Sequence, residues 1–417
     1  MAKLQDKGKR IILKVTAALA AISISPPLSA LVSDKAVLIE ELWEEELSTH
    51  EARGQKAVVS LAMSGTTSLL YKPSPDGGFV ITQSLPFANL NTEYNDFDDY
   101  NDYESSYDYN LPGFLDYPEH YDFSDFANEP VAQVLSQNIT EIREEPLGFT
   151  VEDGRIVKLN YPPNGGAKFL NLDLAGQIRN ETSLDNDFVI NESRKLPEIK
   201  LELNGEPEVL IMHTHTTEAF QPCGYDYFET SYYGRSLDSE KNIVAVGAEM
   251  AKSFAEAGIT VIHDGTVHDY PVFNNAYARS AQTVRQILAA YPSIKIVLDV
   301  HRDAIDAGDG SRVAPVTQFG GQDAAQVMII SAADDGTYDI PYYLQNFHLA
   351  SLFQQHMEYD YPGITRPVLF QYCQYNQHLT PGSLLVEVGA YGNTLEEAMY
   401  AGRLIGKSMA DALLSLT

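Results

Sequence analysis

From Asn204-Gly205 onward the chain alternates between short apolar runs and longer amphipathic stretches. This rhythm restricts the fold more than any other feature of the sequence. The runs are Val209–Met212, 259–262, 294–300, 326–330 and 383–388. They are too short for helices and too continuously apolar for strands with one wet face, as expected of strands buried on both sides. The stretches at about 240–257, 275–290, 342–358 and 394–414 read as helices. In the first, Ile243, Val246, Met250 and Phe254 share one face, Asp238 or Ser239 offers a cap at its start, and Gly258 offers a stop. Strands alternating with helices predict an α/β fold, with a largely parallel mixed sheet and flanking helices.

Ahead of this domain, at 205–417, lie four segments of different character. Residues 1–34 hold a basic start (Lys3, Lys7, Lys9, Arg10) and an apolar run at 15–32 broken by Pro26-Pro27. That is the pattern of a signal peptide or an uncleaved membrane anchor, and it places the bulk of the chain outside the cytoplasm. Residues 35–72 form a juxtamembrane segment whose first part, with Leu38, Ile39, Leu42, Trp43 and Leu47 at helical spacing, predicts a helix; 57–71 suit a strand or a helix. From 73 to 142 there is no Lys or Arg, and 93–126 carry eleven carboxylates among Asn, Tyr and Phe. Repulsion between those charges opposes compaction, so 73–142 reads as a linker. Residues 143–204 predict a small β-rich domain, with a hairpin signal at Asp153-Gly154 and a turn at Asn164-Gly-Gly166.

The formal charge of -30 argues against a nucleic-acid binder, which needs Lys and Arg to neutralise phosphates. Two cysteines, Cys223 and Cys373, are too few for a disulfide framework or a Cys-rich zinc ribbon. Cys373 lies near His378, but without the oxyanion donor or spacing of a nucleophile. No Gly-x-Ser-x-Gly elbow or phosphate-binding Gly-rich loop is present.

Three of the expected strands end in chemistry. The first delivers His213 and His215, the third His301 followed by Arg302-Asp303, and the last Glu387. If these strands run parallel, their ends share one sheet edge, where α/β proteins place their ligand sites. A lone histidine after a strand is usually structural, and Glu387 inside Leu-Leu-Val-Glu-Val would also be satisfied by a salt bridge or a helix start. Together they suit a catalytic zinc, which takes three N or O ligands and leaves a position for water, with a further carboxylate to move protons. Residue types leave the acidic ligand open between Glu218 and Glu240. They leave the first imidazole open between His213 and His215, which face the same way on an extended segment.

Several separated motifs resemble the stage II sporulation protein P family, cell-wall hydrolases of endospore-forming bacteria. These are His213-Thr-His-Thr-Thr-Glu-Ala-Phe220, Asp299-Val-His-Arg-Asp-Ala304, Tyr375-Asn-Gln-His-Leu-Thr-Pro-Gly-Ser-Leu-Leu-Val-Glu-Val-Gly389 and Gly392-Asn-Thr-Leu-Glu-Glu-Ala398, together with His263-Asp-Gly-Thr-Val-His-Asp269 and Tyr277-Ala-Arg-Ser280. The resemblance covers about 205–417, and its wider relatives are zinc-dependent N-acetylmuramoyl-L-alanine amidases. It implies an amidase-like fold with Zn2+ held by His215, Glu240 and His301, and Glu387 assisting the water. His213 and Glu218 become supporting neighbours or alternative ligands. Thr214 departs from the pattern, because the amidases carry Gly before that histidine. Arg302 and Arg366 are candidates for pairing with substrate carboxylates.

The resulting expectation is a membrane-anchored, extracytoplasmic zinc hydrolase that cuts the amide between N-acetylmuramic acid and the stem peptide of peptidoglycan. The resemblance implies cleavage of cross-links as well, during engulfment in sporulation, with stage II sporulation proteins D and M as partners. The rivals are a non-catalytic peptidoglycan-binding scaffold and a zinc peptidase acting on proteins.

Overall fold

A strand that is apolar on every residue must meet a hydrophobic layer on each face, and the computed structural model shows what those layers are. The structure describes residues 68–74, 78–83, 154–222, 224–230, 232 and 234–417. In chain order the elements begin with β1 (Ser68–Pro73), β2 (Phe79–Gln83), β3 (Ile156–Leu159), β4 (Phe169–Asn171), β5 (Gln177–Asn180) and α1 (Asn186–Ser193). Next come β6 (Val209–Met212), α2 (Ile243–Glu256), β7 (Val261–Asp264), α3 (Ala276–Ala290) and β8 (Ile296–Asp303). The chain continues through β9 (Arg312–Phe319), β10 (Gln322–Ala325), β11 (Val327–Ala333), α4 (Tyr343–Asp360), β12 (Val368–Tyr372), β13 (Ser383–Ala390) and α5 (Leu395–Leu414).

Ten strands form one sheet in the order β2-β1-β7-β6-β8-β13-β11-β12-β5-β4, and β10-β9-β3 form a second. The large sheet is mixed. The run β7-β6-β8-β13 is parallel throughout, whereas β11 lies antiparallel to β13. In β6 the two faces divide cleanly. Val209 and Ile211 pack in the cluster that holds Val246, Met250 and Phe254 of α2 and Ile405 and Met409 of α5. Leu210 and Met212 face the other way, onto Val284 and Ile287 of α3. Burying such a side chain stabilises by about 1.5–3 kcal/mol, so an unbroken apolar run is what this position demands.

The helices α2 and α5 approach closely because α5 carries glycine where they cross. A Cβ at Gly406 would lie 2.9 Å from the Met250 Cα. Helix α5 starts at a capping box, in which the Thr394 side chain accepts from the Glu397 amide while the Glu397 side chain accepts from the Thr394 amide. Helix α2 starts later than its apolar spacing and nearby cap residues suggest. Its cap is Asn242, whose side chain accepts from the Val244 amide, and Asp238 instead takes the Glu240 amide in the preceding turn.

The described part of 143–204, residues 154–204, does not make a separate β-rich domain. Strands β5 and β4 close the far edge of the large sheet beyond β12. Strand β3 follows the Asp153-Gly154 signal and pairs in parallel with β9, which lets Ile156 bury against Phe228 and Ala314. The Asn164 turn forms as expected, its side chain accepting from the Gly166 amide at 2.8 Å.

The anchor expected at 1–34, most of the helical segment expected at 35–72 and most of the linker expected at 73–142 lie outside the described residues. The exceptions are 68–74 and 78–83: of the strand or helix expected at 57–71 the described part is a strand, β1, and β2 forms a strand within the expected linker. Strands β1 and β2 pair with each other, and β1 adds antiparallel to β7. Tyr71 is buried there, and Ser68 Oγ donates to Asp264 Oδ1 at 2.6 Å. No helix among the described residues is long and apolar enough to cross a membrane. Because the Tyr71 ring is buried, Tyr71→Ala is expected to lower stability by about 3–5 kcal/mol in urea denaturation. An unchanged midpoint would mean that the hairpin does not dock.

Candidate metal centre

Strands β6, β8 and β13 end at one edge of the sheet, and their register decides which side chains meet. Met212 pairs with Asp299, and Glu387 pairs with His301. Beyond β6 the chain turns back through His213–Glu218. This turn is fixed by an isolated bridge between Ala219 and Asn242 and by the Ile243 amide donating to the Glu218 carbonyl at 2.7 Å. The first amide of α2 therefore seats the residue pair Glu218-Ala219 against the helix start.

The result is a cluster of His215, Glu218 and His301, with one ligand atom from each lying within 4.8 Å of the others. His215 Nδ1 is 3.5 Å from Glu218 Oε1, and His301 Nδ1 is 3.5 Å from Glu218 Oε2. The His215 and His301 rings stand edge to face, with centroids 5.0 Å apart. Phe273 stacks on His215 at 4.7 Å, and Tyr277 lies across both imidazoles. Two imidazole nitrogens and a carboxylate are the donor types that zinc takes in catalytic sites.

Electrostatics fit a cation there. Burial opposes ionisation of Glu218, but contacts with His215 and His301 and the charge of Arg302 hold its carboxyl well below the usual range. His301 lies between two acids, with Nε2 2.8 Å from Asp299 Oδ1 and Nδ1 facing Glu218. Burial works to lower the pKa of His301, yet Asp299 and Glu218 raise it well above the ordinary histidine value. A site that draws a proton onto a buried imidazole is anion-rich, and a metal on the Nδ1 side answers the same demand.

Glu387 sits beside this cluster and is only partly buried as a residue, but its Oε2 is sealed from solvent and accepts no hydrogen bond. Burial, reinforced by the nearby Asp303 charge, pushes its carboxyl up to about 8. That orphaned oxygen and a proton affinity near neutrality suit a group that exchanges protons with a reacting molecule.

The remaining expected residues are placed differently. Glu240 is exposed in the turn ahead of α2 and outside the cluster, because the helix, capped by Asn242, begins only at Ile243. Glu218 joins His215 and His301 in the cluster instead. His213 is buried with both nitrogens engaged: Nδ1 donates to the Val300 carbonyl at 2.8 Å, and Nε2 meets His263 Nε2 at 2.9 Å. Gly247 makes room for this pair, since a Cβ there would fall 2.6 Å from His213 Nε2. Burial lowers both imidazoles, His213 to about 4, so neither carries charge at neutral pH. Arg302 is turned into the protein, with Nε donating to the Ala219 carbonyl and Nη2 to the Gly234 carbonyl. It supports the Glu218 loop rather than facing a substrate. Arg366 Nη1 donates to Asp303 Oδ2 at 2.7 Å, beside Glu387. Cys373 is a buried free thiol whose pKa burial raises, which removes it as a nucleophile.

Phe273 was not singled out by the sequence, and Asp299 and Tyr277 stood only within motifs, without a role of their own, although Asp299 left a signal. A carboxylate within an apolar strand, two residues before His301, faces the same side as that histidine.

The sequence model of the stage II sporulation protein P family matches residues 171–410, more than half of the chain. Stage II sporulation protein P of Bacillus subtilis strain 168 is 25% identical over 204 residues, covering 46% of this chain and 48% of that protein. The chain thus spans about half the length of this curated relative. Among solved structures, the N-acetylmuramoyl-L-alanine amidase AmiC2 of Nostoc punctiforme aligns at 12% identity and a TM-score of 0.30, over 50% of this chain and 96% of that one. The CwlD amidase of Clostridioides difficile, solved in complex with the GerS lipoprotein, aligns at 11% identity and a TM-score of 0.30, over 50% of this chain and all of that one.

The raised Glu387 carboxyl fixes the sign of a pH effect in metal-free protein. Its contribution to stability is fully present below the unfolded value of 4.5 and is lost as pH rises through about 8, because the unfolded chain releases that proton first. With chelator present, Glu387→Gln is expected to flatten the fall in the urea midpoint between pH 5 and pH 8.5. An identical fall in both proteins would show that Glu387 is not held neutral.

Proposed function

The chain belongs to the stage II sporulation protein P family, and from that premise we propose that it is a zinc-dependent peptidoglycan hydrolase of sporulation, cutting the amide between N-acetylmuramic acid and the stem peptide. The observation that carries the reading is the convergence of His215, Glu218 and His301 beside Glu387 at one sheet edge. In this proposal His215, Glu218 and His301 hold the zinc. Zinc, when bound, supplies a water activated at neutral pH and a Lewis acid for the amide carbonyl.

The chain's own residues do the rest. Glu387 takes a proton from the attacking water on the carboxylate whose Oε2 is sealed from solvent, and returns it to the leaving amine. Asp303 and burial hold its proton affinity high enough for that return. Phe273 and Tyr277 wall the imidazoles and limit stray water. Arg302 keeps the Glu218 loop in place through the Ala219 and Gly234 carbonyls.

The same reading extends to cleavage of cross-links, to an anchor in residues 1–34 that leaves the catalytic unit extracytoplasmic, and to stage II sporulation proteins D and M as partners. The basic start and apolar run at the N-terminus support the anchor.

Purified sacculi treated with the full chain should release stem peptides, identified by mass spectrometry. Chelation should abolish release and zinc should restore it. Glu387→Gln should retain zinc and lose about 10²–10⁴-fold in rate. Undiminished release by metal-free protein or by His301→Ala would exclude the mechanism.

A further inference from the structure

One constellation around the site has no part in the chemistry just described. Asp299 lies in the interior of β8 and is buried, and its two carboxylate oxygens meet three donors. Oδ1 accepts from the Thr214 amide at 2.8 Å and lies 2.8 Å from His301 Nε2, while Oδ2 accepts from the Thr214 hydroxyl at 2.7 Å. The imidazole is turned off the line of an ideal hydrogen bond, so the Asp299–His301 contact is foremost an ion-pair contact at close range.

The Thr214 hydroxyl touches a second hydroxyl, Ser280 Oγ on α3, at 2.7 Å. Ser280 Oγ in turn accepts from the Asn376 side-chain amide at 3.0 Å. The two ends of this chain have fixed directions. A carboxylate only accepts, so the single hydroxyl hydrogen of Thr214 goes to Asp299. Ser280 Oγ has two acceptors in reach, Thr214 Oγ1 at 2.7 Å and the Tyr277 carbonyl at 3.1 Å; donation along the shorter contact completes the chain to Thr214, and the Asn376 amide supplies Ser280. Every hydrogen in the chain points toward Asp299, running from the loop after β12 through α3 and the end of β6 to β8. Asn376 adopts a left-handed backbone (φ 57°), and its amide also donates to the Tyr277 carbonyl, so the far end of the relay is anchored on the element that carries Tyr277.

We propose that Asp299 is a positioning residue that fixes His301 with its proton on Nε2 and its Nδ1 lone pair toward Glu218, and that Thr214, Ser280 and Asn376 form a one-way relay that aims the Asp299 carboxylate. The inference rests on the zinc reading above. It gives Thr214, the residue that departs from the amidase pattern, a purpose that glycine could not serve, because glycine has no hydroxyl to close the relay. It also explains why α3 and the β12–β13 loop, which provide no ligand, are tied to the metal-binding edge. A carboxylate that orients a ligating imidazole typically matters 10–100-fold for metal affinity.

The test is zinc affinity of the full chain, measured by competition with a chromophoric chelator, with circular dichroism of the metal-free proteins as the check on folding. Asp299→Asn preserves size and is expected to weaken zinc binding about 10–100-fold. Thr214→Val removes the hydroxyl at equal size and should weaken it about 10-fold, whereas Thr214→Ser, which keeps the donor, should stay within about two-fold of wild type. Ser280→Ala, one step further out, should fall between them and guards against a Thr214 variant that fails to fold. Unchanged affinity in Asp299→Asn, or equal weakening by Thr214→Ser and Thr214→Val, would overturn the positioning role while leaving the zinc reading intact. A wild-type chain that binds no zinc would overturn both.

Discussion

The site depends on the parallel register of β6, β8 and β13. Glu387 stands beside His301, and Asp299 beside Met212, because three strands are paired at fixed offsets and end at one edge. Side chains alternate between the two faces of a strand, so a slip of one residue in β8 would carry His301 to the opposite face. That register is held by the apolar alternation itself: Leu298 and Val300 pack with the α2 and α5 layer, and Val297 with α3. The hydrophobic layers therefore set the position of the polar residues, and a polar cluster that is costly to bury is carried by strands that are not.

Within the cluster the balance is one of charge. Glu218, Asp299 and Glu387 bring three carboxyls to a largely dry place, where unpaired charges are expensive. The structure resolves this unevenly. Glu218 and Asp299 stay ionised against histidines and hydrogen-bond donors, while Glu387, next to Asp303 and with one oxygen unpartnered among the described residues, is pushed toward its neutral form. Pairs of acids whose environments drive their proton affinities apart are a recurrent basis for dividing ligand and proton-transfer roles. The two nearby guanidinium groups make hydrogen bonds elsewhere. Arg302 is occupied by backbone carbonyls and Arg366 by Asp303.

Much of this could be read from the sequence where the signal is local. Unbroken apolar runs reveal strands buried on both faces; β6 ends where its run meets His213, while β8 and β13 carry His301 and Glu387 near their ends and continue to Asp303 and Ala390. The parts that could not be read are those set by contacts between distant segments. Whether Glu218 or Glu240 joins the cluster turns on a bridge between Ala219 and Asn242 and on a helix that starts at Ile243, three residues past Glu240. The Val300 carbonyl and the His263 ring, which occupy His213, and the Ala219 and Gly234 carbonyls, which occupy Arg302, lie far along the chain from their partners. The same holds for the strands taken for a separate domain: β5 finds its partner in β12 and β3 in β9, across more than a hundred residues.

The most direct measurement is anomalous diffraction at the zinc edge from crystals of the zinc-loaded chain. The account predicts one ion bound by His215, Glu218 and His301 through His301 Nδ1, with Glu387 nearby but not ligating. An ion held by His213 or Glu240, or density that avoids this sheet edge, would contradict it.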